Sequence, residues 1–297
     1  MSLKTEIRLA PNSGFCFGVK RAIKLAREAA ETNKKIVTLG PIIHNPQLVE
    51  RLRQRGVDSV DNLDAITDQT VIIRSHGVEH NVLEKLKNSG AEIIDATCPY
   101  VAKAQELAKK LSREGYPVCI MGNASHPEVK AIRSYIEGEV FIIENENELP
   151  EKNFTRLGLI SQTTKSLEDF QNVASKLLPK AKELRIVNTI CSATSVRQQA
   201  TMSLALESDI MIVIGGYNSS NTKMLAKICQ NIIETQHIET AVELQGNWFT
   251  GKFKIGLTAG ASTPDWIIVN VYNEINKYTG NGCPFVSSIE EIPGYKE

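Results

Sequence analysis

A strand, a cysteine and a helix recur in that order three times along this 297-residue chain, at spacings that agree from one feature to the next. Strand-like segments at Glu6 to Ala10, Glu92 to Ala96 and Leu184 to Asn188 lead into Cys16, Cys98 and Cys191. Each cysteine opens a stretch with apolar residues at helical spacing, and Pro99, directly after Cys98, suits a first helical position. A second strand then runs into a polar loop: Lys35 to Leu39 before His44, Pro117 to Met121 before His126, and Asp209 to Ile214 before Ser219. A short third strand is expected at Val57 to Val60, Val140 to Ile143 and Ala241 to Leu244. A later strand ends in another polar loop, at Ser75-His76-Gly77, at Ser161-Gln162-Thr163-Thr164 and at Gly260 to Pro264. Cys98 lies 82 residues after Cys16 and His126 lies 82 after His44; the next step is 93 both for Cys191 and for Ser219. Strands alternating with helices imply α/β units with mainly parallel sheets. The expected architecture is three similar α/β modules around a pseudo-threefold axis, a trefoil. Its boundaries fall at 1–98, 99–190 and 191–282, with a C-terminal tail at 283–297.

In open α/β sheets ligands bind beyond the carboxyl ends of the strands, which is where all three cysteines and all six polar loops fall. Modules facing one another would bring the three thiols together, each beside a helix N-terminus that favours the thiolate. Three thiolates suit a 4Fe–4S cluster with one iron left without a protein ligand, an open place where a substrate oxygen can be polarised. The other cysteines read differently. Cys119 sits inside a strand and Cys229 on an apolar helix face, so both are core residues, while Cys283 lies outside the repeat and has no assigned role. No two cysteines form a C-x-x-C pair, which excludes zinc ribbons and ferredoxin-type runs.

His44, His76 and His126 all fall in strand-end loops, in the company of Ser, Thr and Asn. Imidazoles, hydroxyls and free amides at helix starts make a phosphate or diphosphate cradle, although any single Ser or Asn there is by default only a helix cap. Neither a Walker-type loop nor a G-x-G-x-x-G run is present, which disfavours nucleotides. Glu128 is the one carboxylate embedded in these loops. It is either the proton carrier or a first-turn residue complementing the helix dipole. Lys plus Arg and Asp plus Glu both number 34, so no basic excess drives nucleic-acid binding or membrane attachment. Apolar runs such as Ile210 to Ile214 are strand-sized, and the first residues do not resemble a signal or transit peptide, so a cytoplasmic protein is expected.

Nine motifs in order carry a resemblance that covers residues 14 to about 268. They are Gly14-Phe15-Cys16-Phe17-Gly18-Val19, His44-Asn45, Ser75-His76-Gly77-Val78, Asp95-Ala96-Thr97-Cys98-Pro99 and His126-Pro127-Glu128-Val129. After them come Gln162-Thr163-Thr164, Cys191-Ser192-Ala193-Thr194 with Arg197-Gln198, Asn218-Ser219-Ser220-Asn221-Thr222 and Ala259-Gly260-Ala261-Ser262-Thr263-Pro264. The pattern resembles the LytB/IspH family of 4-hydroxy-3-methylbut-2-enyl diphosphate reductases. Phe17 departs from it, standing where many members carry a smaller residue beside the first cysteine. The resemblance implies a trefoil around a 4Fe–4S cluster held by Cys16, Cys98 and Cys191. It implies reductive removal of an allylic hydroxyl, giving isopentenyl and dimethylallyl diphosphates in the last step of the non-mevalonate isoprenoid pathway. By motif match His44, His76, His126, Ser219, Ser220, Asn221 and Ser262 would bind the substrate, mainly its diphosphate. Thr163 would position the hydroxyl end and Glu128 would deliver protons. Ferredoxin or flavodoxin would supply electrons.

Three other readings stay open on the residues alone: a redox-neutral iron–sulfur dehydratase, a non-enzymatic iron–sulfur sensor or scaffold, and a zinc site built from the same cysteines. One expectation goes beyond the resemblance. The diphosphate loops hold no Lys or Arg among the binding residues, so charge compensation should rest on protonated histidine.

Overall fold

The computed structural model describes residues 5–32, 35–63, 66, 69–280 and 292–294. Cys283 and most of the tail at 283–297 lie outside the described residues. Twelve strands among the described residues form three four-stranded sheets, and every pairing is parallel. They are β1 (Glu6–Leu9), β2 (Ile36–Leu39), β3 (Val57–Val60), β4 (Thr70–Ile73), β5 (Glu92–Asp95) and β6 (Val118–Met121). The remainder are β7 (Val140–Ile143), β8 (Phe154–Ser161), β9 (Ala181–Ile186), β10 (Ile210–Ile214), β11 (Thr235–Ile238) and β12 (Lys254–Ala259). The sheet orders are β3-β2-β4-β5, β7-β6-β8-β9 and β11-β10-β12-β1. One plan therefore recurs: the chain moves outward by one strand and crosses back over the first, and an edge strand lies beside the third, supplied in the third sheet by β1.

Two sequence expectations are corrected. The first strand, grouped with the first module by chain order, pairs with β12 (Glu6 opposite Lys254, Leu9 opposite Leu257) and so completes the third sheet. Its inward Ile7 is fully buried in the core built on β10 and β12, which is what holds it there. The short strand expected at Ala241 to Leu244 is a 3-10 turn at Ala241–Glu243, and the strand precedes it as β11. Thr240 and Glu243 form a capping box, so the local T-x-x-E spelling starts a helical turn before a strand can propagate.

The innermost strands β4, β6 and β10 are buried along their whole length, as parallel strands covered on both faces require. Alternation along β10 divides its side chains between two cores. Ile210, Ile212 and Ile214 face one, packed with Ile268 and Val271 of helix α9 (Asp265–Tyr278). Met211 and Val213 face the other, packed with Leu225 and Cys229 of α8 (Ser220–Gln230). In β6, Val118 and Ile120 join Ala104 and Ala108 of α4 (Pro99–Arg113), while Cys119 and Met121 join Phe170 and Val173 of α6 (Leu167–Leu177). The remaining helices are α1 (Phe17–Ala30), α2 (Pro46–Arg53), α3 (His80–Asn88), α5 (Pro127–Arg133) and α7 (Ser192–Glu207). Among the described residues no helix is long and apolar enough to cross a membrane.

The chain divides into two compact units. One comprises residues 1–17, 44–48 and 192–297 and carries the third sheet; the other comprises 18–43 and 49–191 and carries the first two.

Candidate active site

The three cysteines are anchored by the same backbone hydrogen bond. The N–H of Cys98 donates to the Ser75 carbonyl (2.9 Å), that of Cys191 to the Thr163 carbonyl (3.0 Å), and that of Cys16 to the Ala261 carbonyl (3.1 Å). Each acceptor lies in the loop just past the third strand of its plan, so the repeat seen in sequence is a repeat of geometry. The match extends further back. Gly40, Gly122 and Gly215, each directly after the first strand of its plan (β2, β6 and β10), donate to Val60, Ile143 and Ile238. That last acceptor marks β11, not 241–244, as the equivalent of β3 and β7.

Helices begin at Phe17, Pro99 and Ser192, immediately after the three cysteines. Cys98 is the N-cap of α4 and makes no side-chain capping bond. All three cysteines are half-buried and none is in a disulfide. Cys119 and Cys229 differ in the respect that matters for metal ligation. They are 0% exposed, and burial pushes both thiols up to about 12, so neither can offer a thiolate at neutral pH. The donor set that fits a soft, thiolate-bound cluster is therefore the repeated trio, and the two core cysteines are as the sequence implied.

In the unit built on the first two sheets, a continuous string of contacts runs from Cys98 to Cys191. Cys98 is bonded to Ser75, and the adjacent His76 ring packs edge-on against His126 (centroids 5.4 Å apart, planes at 80°). His126 is the N-cap of α5 and its Nδ1 accepts the Glu128 N–H at 3.2 Å. With Nδ1 as acceptor, the neutral ring carries its proton on Nε2. Glu128, 2% exposed, is gripped by one residue: Thr163 N–H donates to Oε1 (2.6 Å) and Thr163 O–H to Oε2 (2.8 Å). Burial drives this carboxyl up to about 7, against the downward pull of the two Thr163 bonds. Thr163 in turn receives the Cys191 N–H on its carbonyl. Glu128 lies in the first turn of a helix, but its two oxygens face Thr163, so the dipole alone does not account for it.

In the other unit the string starts at Cys16. Its acceptor Ala261 adjoins Ser262, whose hydroxyl donates to the His44 carbonyl (3.2 Å). Gly216 lies against the same carbonyl, where a Cβ would approach to 2.8 Å. Ser219 caps α8, accepting the Thr222 N–H and leaving its own proton to donate elsewhere. Asn221 is 4% exposed, and neither its amide nitrogen nor its oxygen finds a partner among the described residues. A buried amide in that state at the start of an 11-residue helix is built to receive a polar ligand. Ser262 holds the His44 backbone in place with the proton it would otherwise give a ligand.

A family model described as LytB protein matches residues 7–276. The chain belongs to the LytB family. It is 50% identical over 277 residues to the 4-hydroxy-3-methylbut-2-enyl diphosphate reductase of Geobacter sulfurreducens, covering 92% of this chain and 98% of that protein. It is likewise 50% identical over 276 residues to the reductase of Geobacter metallireducens (92% and 97% covered). A solved structure of (E)-4-hydroxy-3-methyl-but-2-enyl diphosphate reductase, described as the terminal enzyme of the non-mevalonate pathway, is 45% identical with a TM-score of 0.68 (92% and 99% covered). The E-1-hydroxy-2-methyl-but-2-enyl-4-diphosphate reductase of Plasmodium falciparum is 27% identical with a TM-score of 0.89 (99% and 95% covered).

Arg197, part of the motif after Cys191 but given no role from sequence, is tied by the structure to the loop of the first cysteine. It is 2% exposed, and its Nη2 donates to the Gly14 carbonyl at 2.9 Å, two residues before Cys16. The sequence marks it only as a motif residue six positions after Cys191; what the structure adds is its burial, since a cation on the buried face of a helix needs a built partner.

Proposed function

We propose that this LytB-family chain is a 4-hydroxy-3-methylbut-2-enyl diphosphate reductase. The allylic C–O bond breaks as two electrons enter. One proton converts the departing hydroxide to water and a second adds to an allylic carbon, giving isopentenyl or dimethylallyl diphosphate. The observation that carries this reading is the Glu128–Thr163 pair: a buried carboxyl at about 7, bonded to the residue whose carbonyl receives the Cys191 N–H. A carboxyl so poised holds a proton at neutral pH and releases it without a large penalty.

Cys16, Cys98 and Cys191 are the residues that would hold a 4Fe–4S cluster, which when bound supplies electrons one at a time and a Lewis-acidic iron at its corner without a cysteine. The chain's own groups do the rest. Thr163 donates its hydroxyl proton to the ionised Glu128; once Glu128 is protonated, the carboxyl donates to the Thr163 oxygen and the Thr163 hydroxyl donates to the substrate's hydroxyl end, so that Thr163 is the bridge for proton transfer. Glu128 is the acid. His126 offers Nε2–H, and His44, His76, Ser219, Ser220 and Asn221 bind the diphosphate. Ser262 acts first through the His44 backbone that it anchors. The electron donor is a ferredoxin or flavodoxin, and the place of work is the cytoplasm.

The test is anaerobic turnover of the iron- and sulfide-loaded protein with a low-potential reductant. The expected result is conversion of the allylic diphosphate to the two products, with Glu128→Gln lowering kcat by about 10²–10⁴-fold while substrate binding is kept. Conversion without any reductant would overturn the reductase reading in favour of a dehydratase. Full retention of kcat in Glu128→Gln would remove the proposed acid.

A further inference from the structure

The strand order of all three sheets reverses between the innermost pair of strands, and in open α/β sheets that crevice is where ligands enter. Beyond the paired residues, by two register steps in the first sheet and one in the others, the crevices are flanked by Gly40 and Arg74 in the first sheet, Gly122 and Gln162 in the second, and Gly215 and Gly260 in the third. Two of these are internally satisfied. Gln162 accepts from the Asn123 N–H and donates to Thr164, and Thr263 fills the third crevice with its hydroxyl on the Ile214 carbonyl. The first holds an arginine instead. Its guanidinium lies over Gly40, where a Cβ would come within 2.5 Å of a terminal nitrogen, and Gly40 itself is left-handed (φ +69°).

Arg74 has its Nε buried with no partner among the described residues, and no carboxylate forms an ion pair with it. Burial alone lowers its pKa, with no neighbouring charge opposing. An arginine cannot shed its proton at accessible pH, so a half-buried guanidinium without a counter-charge is costly unless an anion joins it. Arg74 opens onto a cleft of about 370 Å³ whose wall also carries Lys85 from α3 and Lys130 from α5. Asp61 and Glu79 stand on the rim; both are exposed, and they bias the cleft toward a compact, weakly charged anion. Arg74 is the deepest of these groups. None of the residues assigned to the diphosphate or to the cysteines lines it.

We propose that this switch-point cleft of the first sheet is a separate binding site for a phosphate-sized oxyanion, held in a fork by Arg74 and closed by Lys85 and Lys130. Planar guanidinium donors match the oxygens of such an anion, and the lysines add mobile point charges. The probe is inorganic phosphate added to the iron- and sulfide-loaded full chain. The readout is the arginine side-chain Nε–H resonance that disappears in Arg74→Gln. That resonance should shift saturably with phosphate. Calorimetric affinity for this site should fall at least tenfold in Arg74→Gln, and about two- to fivefold in Lys85→Gln or Lys130→Gln. Phosphate should also raise the Tm of the unaltered chain by more than it raises that of Arg74→Gln, a comparison that stands even if the variant itself melts differently. Asn221→Ala should leave the Arg74 response intact. An unmoving resonance would overturn the inference, as would loss of the response in Asn221→Ala, which would place the phosphate in the substrate's own site. Neither result touches the reductase reading, which turnover tests independently.

Discussion

Replacing Thr163 by Val removes one hydroxyl and little volume, and its consequence for Glu128 can be worked out in sign and size. Two Thr163 donors hold the carboxyl down while burial holds it up, and the balance lies at about 7. The backbone N–H survives the substitution; the 2.8 Å hydroxyl bond does not. Bonds to an ionised carboxylate contribute about 1.5–3 kcal/mol and those to a neutral group about 0.5–1.5, so the ionised form loses roughly 1–1.5 kcal/mol more than the protonated one. At 1.36 kcal/mol per pKa unit, Glu128 should move up by about one unit, to roughly 8. Infrared difference spectra of the protonated-carboxyl stretch across pH 5–9, using Glu128→Gln to identify the band, measure this directly. In turnover the alkaline limb, where Glu128 has lost its proton, should shift the same way while kcat falls for want of the Thr163 bridge. A midpoint that stays at 7 or drops would refute the account, because it would mean that Thr163 does not select the ionised form.

Three further outcomes follow from the same contacts. Cys119→Ala and Cys229→Ala should each retain the full iron and sulfide content of the reconstituted protein, whereas Cys16→Ser, Cys98→Ser and Cys191→Ser should each lose it on desalting. Arg197→Met should leave the Gly14 carbonyl unpaired and cost about 1–3 kcal/mol in urea unfolding. The same variant should shed iron faster than wild type during anaerobic dialysis; equal retention would show that the Gly14 tether is not what fixes the Cys16 loop. Gly40→Ala should be destabilising on two counts, a positive φ and the overlying Arg74 guanidinium, and pairing it with Arg74→Gln should recover part of the loss in a double-mutant cycle.

The repeat was legible because parallel α/β units write the same short spelling each time: a β-branched run, a small or polar stop, a helix start. Its spacing set Cys16, Cys98 and Cys191 apart; Glu128 stood out as the one carboxylate of the loops, and Thr163 through the family resemblance. The partner of β1 was not legible. A four-residue strand carries no label for which sheet it closes, and that choice is made by the packing of Ile7 against residues some 250 positions away. The 241–244 error was avoidable, since the T-x-x-E capping box was on the page and outweighs the strand propensity of one Val. Arg74 carried no mark in the sequence, and Arg197 was named only within a motif, because burial of a cation is a tertiary property that spelling does not record.

Under the proposed function, the positive charge that meets the diphosphate must come from the residues assigned to bind it. Ser219, Ser220 and Asn221 are neutral, and the start of α8 offers only about 0.3–1 kcal/mol, or about 2 when partly buried. Arg197 is committed to the carbonyls of Gly14 and Ala193. His126 uses its Nδ1 lone pair to cap α5, a bond that a second ring proton would cost. His44 and His76 remain. Affinity for the diphosphate should therefore weaken as pH rises through the histidine range. His126→Asn keeps a side-chain oxygen to cap α5 and should retain that pH dependence at lower affinity, while His76→Asn should flatten it. Calorimetry from pH 6 to 9 decides the matter: a flat profile in the unaltered chain would mean that uncharged donors alone hold the diphosphate, and a slope abolished by His126→Asn would mean that the α5 cap opens to let His126 take the proton.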